Sequence, residues 1–378
     1  MQARSVNQNR RASALGHSVS SRTTDYEMPS NSTYISIIVP AYNNSQDLLE
    51  CLSALTASST PNSEIIVVDD ASTDDTHLIA TRTGVRVIRL TENSGPASAR
   101  NHGARHAKGK ILIFVDADIV VSPGMISRMV KVFEGHPDVA AVFGSYDSFP
   151  RDKGVVSQYR NLFHHFVHQN GNPEASTFWA GFGAIRRSVF EEIGGFDENS
   201  FRKSSIEDIA LGYRLRQAGY RILLDKSIQV KHLKRWSLRS VIFTDIFYRA
   251  IPWSKLILDG RNLPSDLNLQ LSHRVSAVLV SLLIIMLTLT LLGALNFLGT
   301  NINSVFISIS LLLIISLLLL NRNLYAFFFH KRGIKFLLFA IPLHFLYYLY
   351  SGWTFATCWI LHKFSLLIID LKKVKTLI

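Results

Sequence analysis

Residues 111–118 have the sequence ILIFVDAD, in which five apolar residues are followed by two aspartates with one alanine between them. A short, continuous apolar run of this kind predicts a β-strand that is buried on both faces. Because residues i and i+2 of an extended chain project to the same side, Asp116 and Asp118 should converge just beyond the strand. Their oxygens suit a hard divalent cation, which completes its shell with water and substrate phosphates. An isolated Asp-x-Asp more often only solvates a strand end, so the metal prediction depends on the rest of the chain.

The composition indicates a chain with a membrane-embedded part. Its 378 residues allow about two domains, and 48% of them are hydrophobic. The net charge of +12 could serve nucleic acid, anionic lipid or an anionic substrate. No interleaved basic and aromatic pattern of an RNA-binding module occurs, and the apolar C-terminal third favours the membrane as partner over nucleic acid. Cys51 and Cys358, one in each predicted part, do not predict a disulfide framework.

The predicted domains follow from changes in pattern along the chain. Residues 1–33 are polar and basic, lack the apolar region of a secretory signal, and are predicted to form a disordered tail. From 34 to 235, short apolar runs alternate with helical periodicity, which predicts an α/β domain with a mostly parallel sheet. Strands are predicted at 35–39, 64–68, 85–90 and 111–115, and a helix at about 97–106. Three of these strands run into polar clusters, at the edge where open α/β sheets bind ligands.

The C-terminal part is predicted to be α-helical and membrane-bound. Residues 236–270 mix aromatic and basic side chains, which is typical of an amphipathic segment in the membrane interface; packing on the soluble domain is the alternative. Residues 271–378 form the predicted transmembrane region, with apolar spans at about 275–298, 304–320 and 336–361.

The basic residues of this region predict a multi-pass protein with its large domain in the cytoplasm. Arg322, Lys331, Arg332 and Lys335 lie between the second and third spans, and loops rich in Lys and Arg remain cytoplasmic. The basic tail at 372–375 also favours the cytoplasm, which three full spans do not allow. A re-entrant hairpin, two short crossings in the third region, or a tail that violates the rule all remain open.

Two further segments of the α/β part carry possible functional residues. The sequence WAGFGA at 179–184 is rich in small residues, where a ligand or another backbone segment could approach closely. Glu207 and Asp208 begin a helical pattern that ends at Gly219. Acidic residues at a helix start usually complement the helix dipole, so this pair alone does not indicate catalysis.

Together these segments resemble a membrane-bound family 2 glycosyltransferase with the GT-A fold, over about residues 34–235. The resemblance rests on six motifs in the family's order. They are VPAYN at 39–43, VVDDASTD at 67–74, NSGPASARN at 93–101, VDAD at 115–118, GGFD at 194–197, and ED at 207–208 followed by Leu211 and Arg214.

The resemblance implies a role for each motif. Pro40, Tyr42 and Asn43 would lie against the nucleotide base of the donor, typically uracil, and Asp70 would hydrogen-bond its edge. Arg100 would bring positive charge to the donor, and Asp116 and Asp118 would hold Mn²⁺ or Mg²⁺ on the diphosphate, with Asp118 the surer ligand. Trp179 and Gly181 would lie near the acceptor. Asp208 would be the general base of a direct, inverting displacement, and Glu207 would assist its placement.

Two departures from the family pattern narrow the function. Processive synthases of the family carry Gln-x-x-Arg-Trp, whereas this chain has HLKRW at 232–236. His232 puts processivity in doubt; it is either a further metal ligand or an ordinary polar residue at the domain edge. The sequence ADIV at 117–120 also lacks the continuation typical of dolichyl-phosphate sugar synthases.

The sequence therefore predicts a metal-dependent enzyme that moves a sugar from a nucleotide-sugar donor to a lipid or lipid-linked acceptor at the cytoplasmic face of a membrane. A processive polysaccharide synthase is the first alternative. The second is a catalytically idle, transferase-like membrane scaffold that senses nucleotide sugars.

Overall fold

The structure, a computed structural model, describes residues 34–201, 203, 205–259, 267, 270–295 and 300–375, with the side chains of 300–302 and 366–375 excepted. The tail predicted at 1–33 lies outside the described residues.

A central sheet organises the first part of the chain. Its strands are β1 (Ile35–Ala41), β2 (Ser63–Asp69), β3 (Arg86–Arg89), β4 (Ile111–Val115), β5 (Ile119–Val121), β6 (Val139–Tyr146), β7 (Phe182–Arg186) and β8 (Arg221–His232). They are arranged in the order β3-β2-β1-β4-β7-β6-β8-β5. β1 to β4 are mutually parallel, as are β6 and β8, whereas β7 and β5 run antiparallel to their neighbours. The predicted mostly parallel α/β sheet is confirmed.

Helices cover both faces of this sheet. They are α1 (Ser45–Ser58), α2 (Thr76–Arg82), α3 (Pro96–His106), α4 (Met125–Gly135), α5 (Val155–Gln169), α6 (Arg187–Glu192) and α7 (Glu207–Gln217). Side chains alternate along the central strands, so Phe114 packs in one core with α3, α5 and α7, while Ile113 packs in the other with α1 and α4. All five residues of β4 are buried, as its continuous apolar run predicts.

The C-terminal part is helical. It contains α8 (Leu238–Phe243), a π-helical stretch (Thr244–Ala250), α9 (Ile251–Leu258), α10 (Leu271–Ala294), α11 (Thr300–Leu320) and α12 (Arg322–Lys375). Three of these helices are long and apolar enough to cross a membrane, namely α10, the stretch Asn303–Leu320 of α11 and the stretch Arg322–Ser365 of α12. α12 is interrupted only at Gly333, where φ is 77°. The third apolar region, 336–361, is therefore one continuous helix.

The amphipathic segment has one side that packs on the protein and one side that is exposed. On one side it packs on the α/β part, where Trp253 donates a hydrogen bond to the Tyr213 hydroxyl over 3.2 Å. On the other side Phe243 and Phe247 are about half exposed, with 50% and 51% of their surface accessible. Apolar rings presented in this way suit a membrane interface.

Candidate active site

The first group of candidate residues meets at the carboxyl end of β4, where Arg100 bridges two carboxylates. Its Nη2 donates to Oδ1 of Asp116 over 2.7 Å and its Nη1 donates to Oε1 of Glu207 over 2.9 Å. Arg100 and Glu207 are buried, and the second oxygen of Glu207 accepts the backbone N–H of Ser205 over 2.8 Å. Both oxygens of Glu207 are thus engaged, so this side chain positions Arg100 and the start of α7.

Asp208 occupies the first turn of α7 beside this pair. Its Oδ2 accepts the backbone N–H of Ala180 over 3.2 Å, and its Oδ1 accepts the N–H of Ile209 over 2.8 Å. Burial and the neighbouring Glu207 raise the pKa of Asp208 to about 7, against the opposing charge of Arg100. A carboxylate whose pKa lies near neutrality suits proton abstraction, and each of its oxygens retains a second lone pair.

The segment from Trp179 to Gly181 connects Asp208 with Asp116. Ala180 donates to Asp208, and the carbonyl of Gly181 accepts the N–H of Asp116 over 3.0 Å. A Cβ on Gly181 would lie 2.5 Å from the Trp179 ring, so only glycine allows the indole to fold over this backbone. Both predicted acceptor-side residues therefore lie between the two aspartates.

Asp118 is paired with His232. The Nε2 of His232 lies 3.6 Å from Oδ2 of Asp118, and the antiparallel pairing of β5 with β8 aligns the two segments. Burial favours a higher pKa, but interaction with His232 and the charge of Lys234 lower the pKa of Asp118 to about 2. Tyr146 stacks on His232 with ring centroids 4.1 Å apart and planes 14° apart. This stacking fixes the orientation of the imidazole toward Asp118.

The predicted base-binding residues lie at the ends of β1 and β2, on the same edge of the sheet. Tyr42 is 48% exposed and follows Pro40 at the end of β1. The side-chain oxygen of Asn43 accepts the backbone N–H of Thr73 over 2.8 Å. Asp70 is buried and accepts the backbone N–H groups of Ser94 and Gly95, each over 2.8 Å. Asn43 and Asp70 therefore hold together the loops that follow β1, β2 and β3, and the Tyr42 side chain beside them is about half exposed.

Asp116, Asp118 and His232 can supply only some of the ligands that a divalent cation needs. Within the described residues, no three His, Cys, Asp or Glu side chains converge closely enough to bind a metal by themselves. Oδ1 of Asp116 is engaged by Arg100, whereas Asp118 and His232 lie together. Two or three protein ligands suit a metal that takes its remaining ligands from water and substrate phosphates, which is usual for Mg²⁺.

Sequence reasoning missed several residues around this site. They are Tyr146, His164 and His168, whose rings cluster around the predicted Trp179; the ring centroid of His164 lies 4.6 Å from that of Tyr146 and 4.0 Å from that of His168. The spacing of the two histidines by four residues on α5 was a usable signal, because it places both on one helix face. The stacking of Tyr146 on His232 had no such local signal, since it depends on the pairing of β6 with β8.

Two known glycosyltransferases are similar to this chain in sequence. An uncharacterized glycosyltransferase of Haemophilus influenzae is 36% identical over 195 residues, which are 48% of this chain and 62% of that protein. A dolichol-phosphate mannosyltransferase of Pyrococcus furiosus is 27% identical over 210 residues, which are 53% of this chain and 54% of that protein. The chain thus spans little more than half the length of these two relatives.

A solved mannosyltransferase of Pyrobaculum calidifontis, in complex with GDP-Man and Mn²⁺, is 23% identical, with 61% of this chain and 63% of that chain covered and a TM-score of 0.45. Residues 36–194 match the family model described as Glycosyl transferase family 2. This match covers the first four of the six motifs and the first residue of the fifth, and it confirms the predicted resemblance to family 2 glycosyltransferases.

Proposed function

We propose that this protein transfers a sugar from a nucleotide-sugar donor, with UDP-sugars the first candidates, to a lipid or lipid-linked acceptor at the cytoplasmic face of a membrane. One observation carries the proposal. Asp208, whose pKa is raised to about 7, is hydrogen-bonded to Ala180, and the adjacent Gly181 is hydrogen-bonded to Asp116. A candidate base and a candidate diphosphate-binding residue therefore flank one short backbone segment.

The chemistry follows from this placement. Asp208 takes the proton of the acceptor hydroxyl as that oxygen attacks the anomeric carbon of the donor. Its charge is maintained by the Ala180 N–H group, and Glu207 keeps Arg100 directed toward the site. The attack displaces the nucleoside diphosphate directly and inverts the anomeric configuration. Arg100 contributes positive charge where negative charge builds on the departing diphosphate.

A divalent cation fits beside Asp118. Asp118 and His232, with Asp116 as a further ligand, would hold Mn²⁺ or Mg²⁺. When bound, the ion would act as a Lewis acid that neutralises charge on the diphosphate. The pKa of Asp118, lowered to about 2, keeps this carboxylate charged and available as a ligand at neutral pH.

The lipid acceptor is supported by the helices that follow the domain. Three helices could cross a membrane, and an active site anchored beside them would meet an acceptor that is confined to the membrane plane. The name of the Pyrococcus furiosus relative, a dolichol-phosphate mannosyltransferase, supports the same acceptor class. The basic residues Arg322, Lys331, Arg332 and Lys335, at the start of α12, support a cytoplasmic position for the domain.

The test compares the wild type with Asp208→Asn in membranes that contain the full chain. Membranes are incubated with Mn²⁺ or Mg²⁺ and a panel of radiolabelled UDP- and GDP-sugars, and label is followed into organic-soluble and insoluble fractions. Loss of a general base lowers the rate by about 100-fold or more, so we expect organic-soluble label from the wild type and almost none from the variant. Asp225→Asn, which changes a carboxylate where the register of β8 against β6 shifts, is the matched control and should transfer like the wild type.

Each other outcome has a distinct meaning. Residual transfer of Asp208→Asn above a tenth of the wild-type rate would contradict its role as base. An insoluble product of high mass would indicate that the protein synthesises a polymer and does not transfer the sugar to a lipid acceptor. Donor binding without transfer from any donor in the panel would favour the idle scaffold.

A further inference from the structure

An open groove lies where the α/β part of the chain meets the last apolar helix. Its volume is about 480 Å³. One wall comes from Phe149 and Lys153, in the loop that follows β6, and from the start of α5. The other comes from α12 on both sides of Gly333, with Arg332 before it and Lys335 and Phe339 after it. This volume is in the range of small-molecule sites.

One basic residue of the groove is held rigidly in place. Arg332 donates from Nε to the side-chain oxygen of Gln158 over 2.7 Å and from Nη2 to the carbonyl of Ser148 over 2.6 Å. Its guanidinium lies 6.0 Å from the centroid of the Phe149 ring. These contacts join the two walls, so the groove has a defined shape before any ligand enters.

Two further basic residues have uncompensated charge. Lys153 and Lys335 are exposed, and neither forms an ion pair with a carboxylate in the part of the chain that the structure describes. The two acidic residues of the same loop do not line the groove: Asp147 accepts the N–H of Phe149 over 2.8 Å, and Asp152 lies 3.7 Å from Arg235. The groove therefore carries a net positive charge that an anion would neutralise.

The same groove offers an apolar surface that continues along the last helix. Phe149 and Phe339 each expose 63% of their surface. Lys335 and Phe339 are four residues apart on α12, so a cation and an aromatic ring lie one above the other on one helix face. α12 is apolar enough to cross a membrane, and this face would then pass from the headgroup region toward the acyl chains. A soluble anion would gain nothing from these rings, whereas an anionic lipid would contact both surfaces.

The groove is connected to the candidate active site through its loop. Arg151 donates its backbone N–H to the carbonyl of His232 over 3.1 Å, and Asp147 donates to the carbonyl of Val230 over 2.8 Å. The loop that supplies Phe149 and Lys153 thus runs beside the strand that carries the candidate metal ligand. A lipid head in the groove would lie next to that strand.

We propose that this groove binds the phosphate head of an anionic membrane lipid, with the lipid chain along the Phe339 face of α12. Lys153 and Lys335 pair with the phosphate, and Arg332 holds the two walls together. If the lipid is also the sugar acceptor, a role that rests on the proposed function, the acceptor is a lipid phosphate.

The experiment measures lipid binding by the full chain in a neutral detergent. Dioleoyl phosphatidic acid, dioleoyl phosphatidylcholine and inorganic phosphate are titrated, and bound ligand is counted by native mass spectrometry. We expect phosphatidic acid to bind at least about tenfold more tightly than phosphatidylcholine. The double variant Lys153→Gln/Lys335→Gln should bind phosphatidic acid at least about tenfold more weakly, because each basic residue near an anionic lipid contributes roughly fivefold to the affinity. Phe339→Ala should weaken the binding of phosphatidic acid but not that of inorganic phosphate.

The charge-matched control is Lys108→Gln/Lys131→Gln, which removes two exposed lysines outside the groove and should stay within about twofold of the wild type. An equal loss in the control, or none in the groove variant, would refute the site. Inorganic phosphate that binds as tightly as phosphatidic acid would show a soluble-anion site instead of a lipid site. UDP- and GDP-sugar binding, measured on the same samples, separates the two proposals: its absence from the wild type would count against the proposed transfer and leave the lipid result unaffected.

Discussion

Asp208 is placed where its ionised form is costly, and this placement sets the expected pH dependence of the reaction. Burial and the adjacent Glu207 raise its pKa to about 7, although Arg100 opposes the shift. A general base works only when deprotonated. The value of kcat/KM for sugar transfer should therefore fall about tenfold per pH unit below pH 7 and level off above it.

The measurement is a profile of initial transfer rates at low donor concentration between pH 5.5 and 8.5. Donor binding, followed in parallel over the same range, is the control and should change little, because the proposed role of Asp208 is toward the acceptor and not toward the diphosphate. A rate that stays constant down to pH 5.5 would mean that another group takes the proton.

At the scale of the element, the segment between Trp179 and β7 is the one that the proposed acceptor would approach. A Cβ on Gly181 would overlap the Trp179 indole, with contacts of 2.5 Å. The indole cannot move away freely, because Tyr146, His164 and His168 pack around it with ring centroids 4.9, 5.1 and 5.6 Å away. Such overpacking costs about 1–3 kcal/mol and shifts the backbone.

Gly181→Ala should therefore raise the KM for the acceptor and lower kcat/KM by about tenfold or more, while the affinity for the donor remains near that of the wild type. Steady-state kinetics with separate donor and acceptor titrations checks this expectation. Gly135→Ala is the matched control, because a Cβ there meets nothing within 4 Å. If both variants behaved alike, the contact with Trp179 would not be important.

Elements with a complete local signal could be predicted, and those that depend on distant pairing could not. β4 has five consecutive apolar residues, and α7 begins at Glu207 and is followed by Gly219, so both were predictable from a short window. β8 (Arg221–His232) alternates only in two short runs, 221–224 and 228–232, with an irregular stretch between them, and its place between β6 and β5 depends on long-range register. For the same reason His232 was found through a motif, but its stacking on Tyr146 was not.

At the scale of the whole molecule, one buried ion pair connects three parts of the chain. Arg160 on α5 donates to Asp245 in the π-helical stretch through two hydrogen bonds of 2.6 and 3.2 Å. The same carboxylate accepts the hydroxyl of Tyr350 on α12. α5 also carries His164, which packs against Trp179 at the candidate active site. This ion pair therefore holds the α/β part, the amphipathic segment and the last apolar helix in one arrangement.

Removing one partner of this buried ion pair should destabilise the protein strongly. Asp245→Asn leaves the Arg160 guanidinium buried without a counter-charge, which typically lowers the free energy of unfolding by about 3 kcal/mol. For a chain of this size we expect the unfolding temperature of the full protein in detergent, followed by intrinsic fluorescence, to fall by about 5 °C or more. Arg249→Gln is the control: Arg249 approaches the same carboxylate only to 3.7 Å and is 42% exposed, so its loss should matter little. The double variant Arg160→Met/Asp245→Leu leaves no unpaired charge, so it should recover most of the lost stability. If Asp245→Asn instead unfolded at the wild-type temperature, the ion pair would not hold the three parts together.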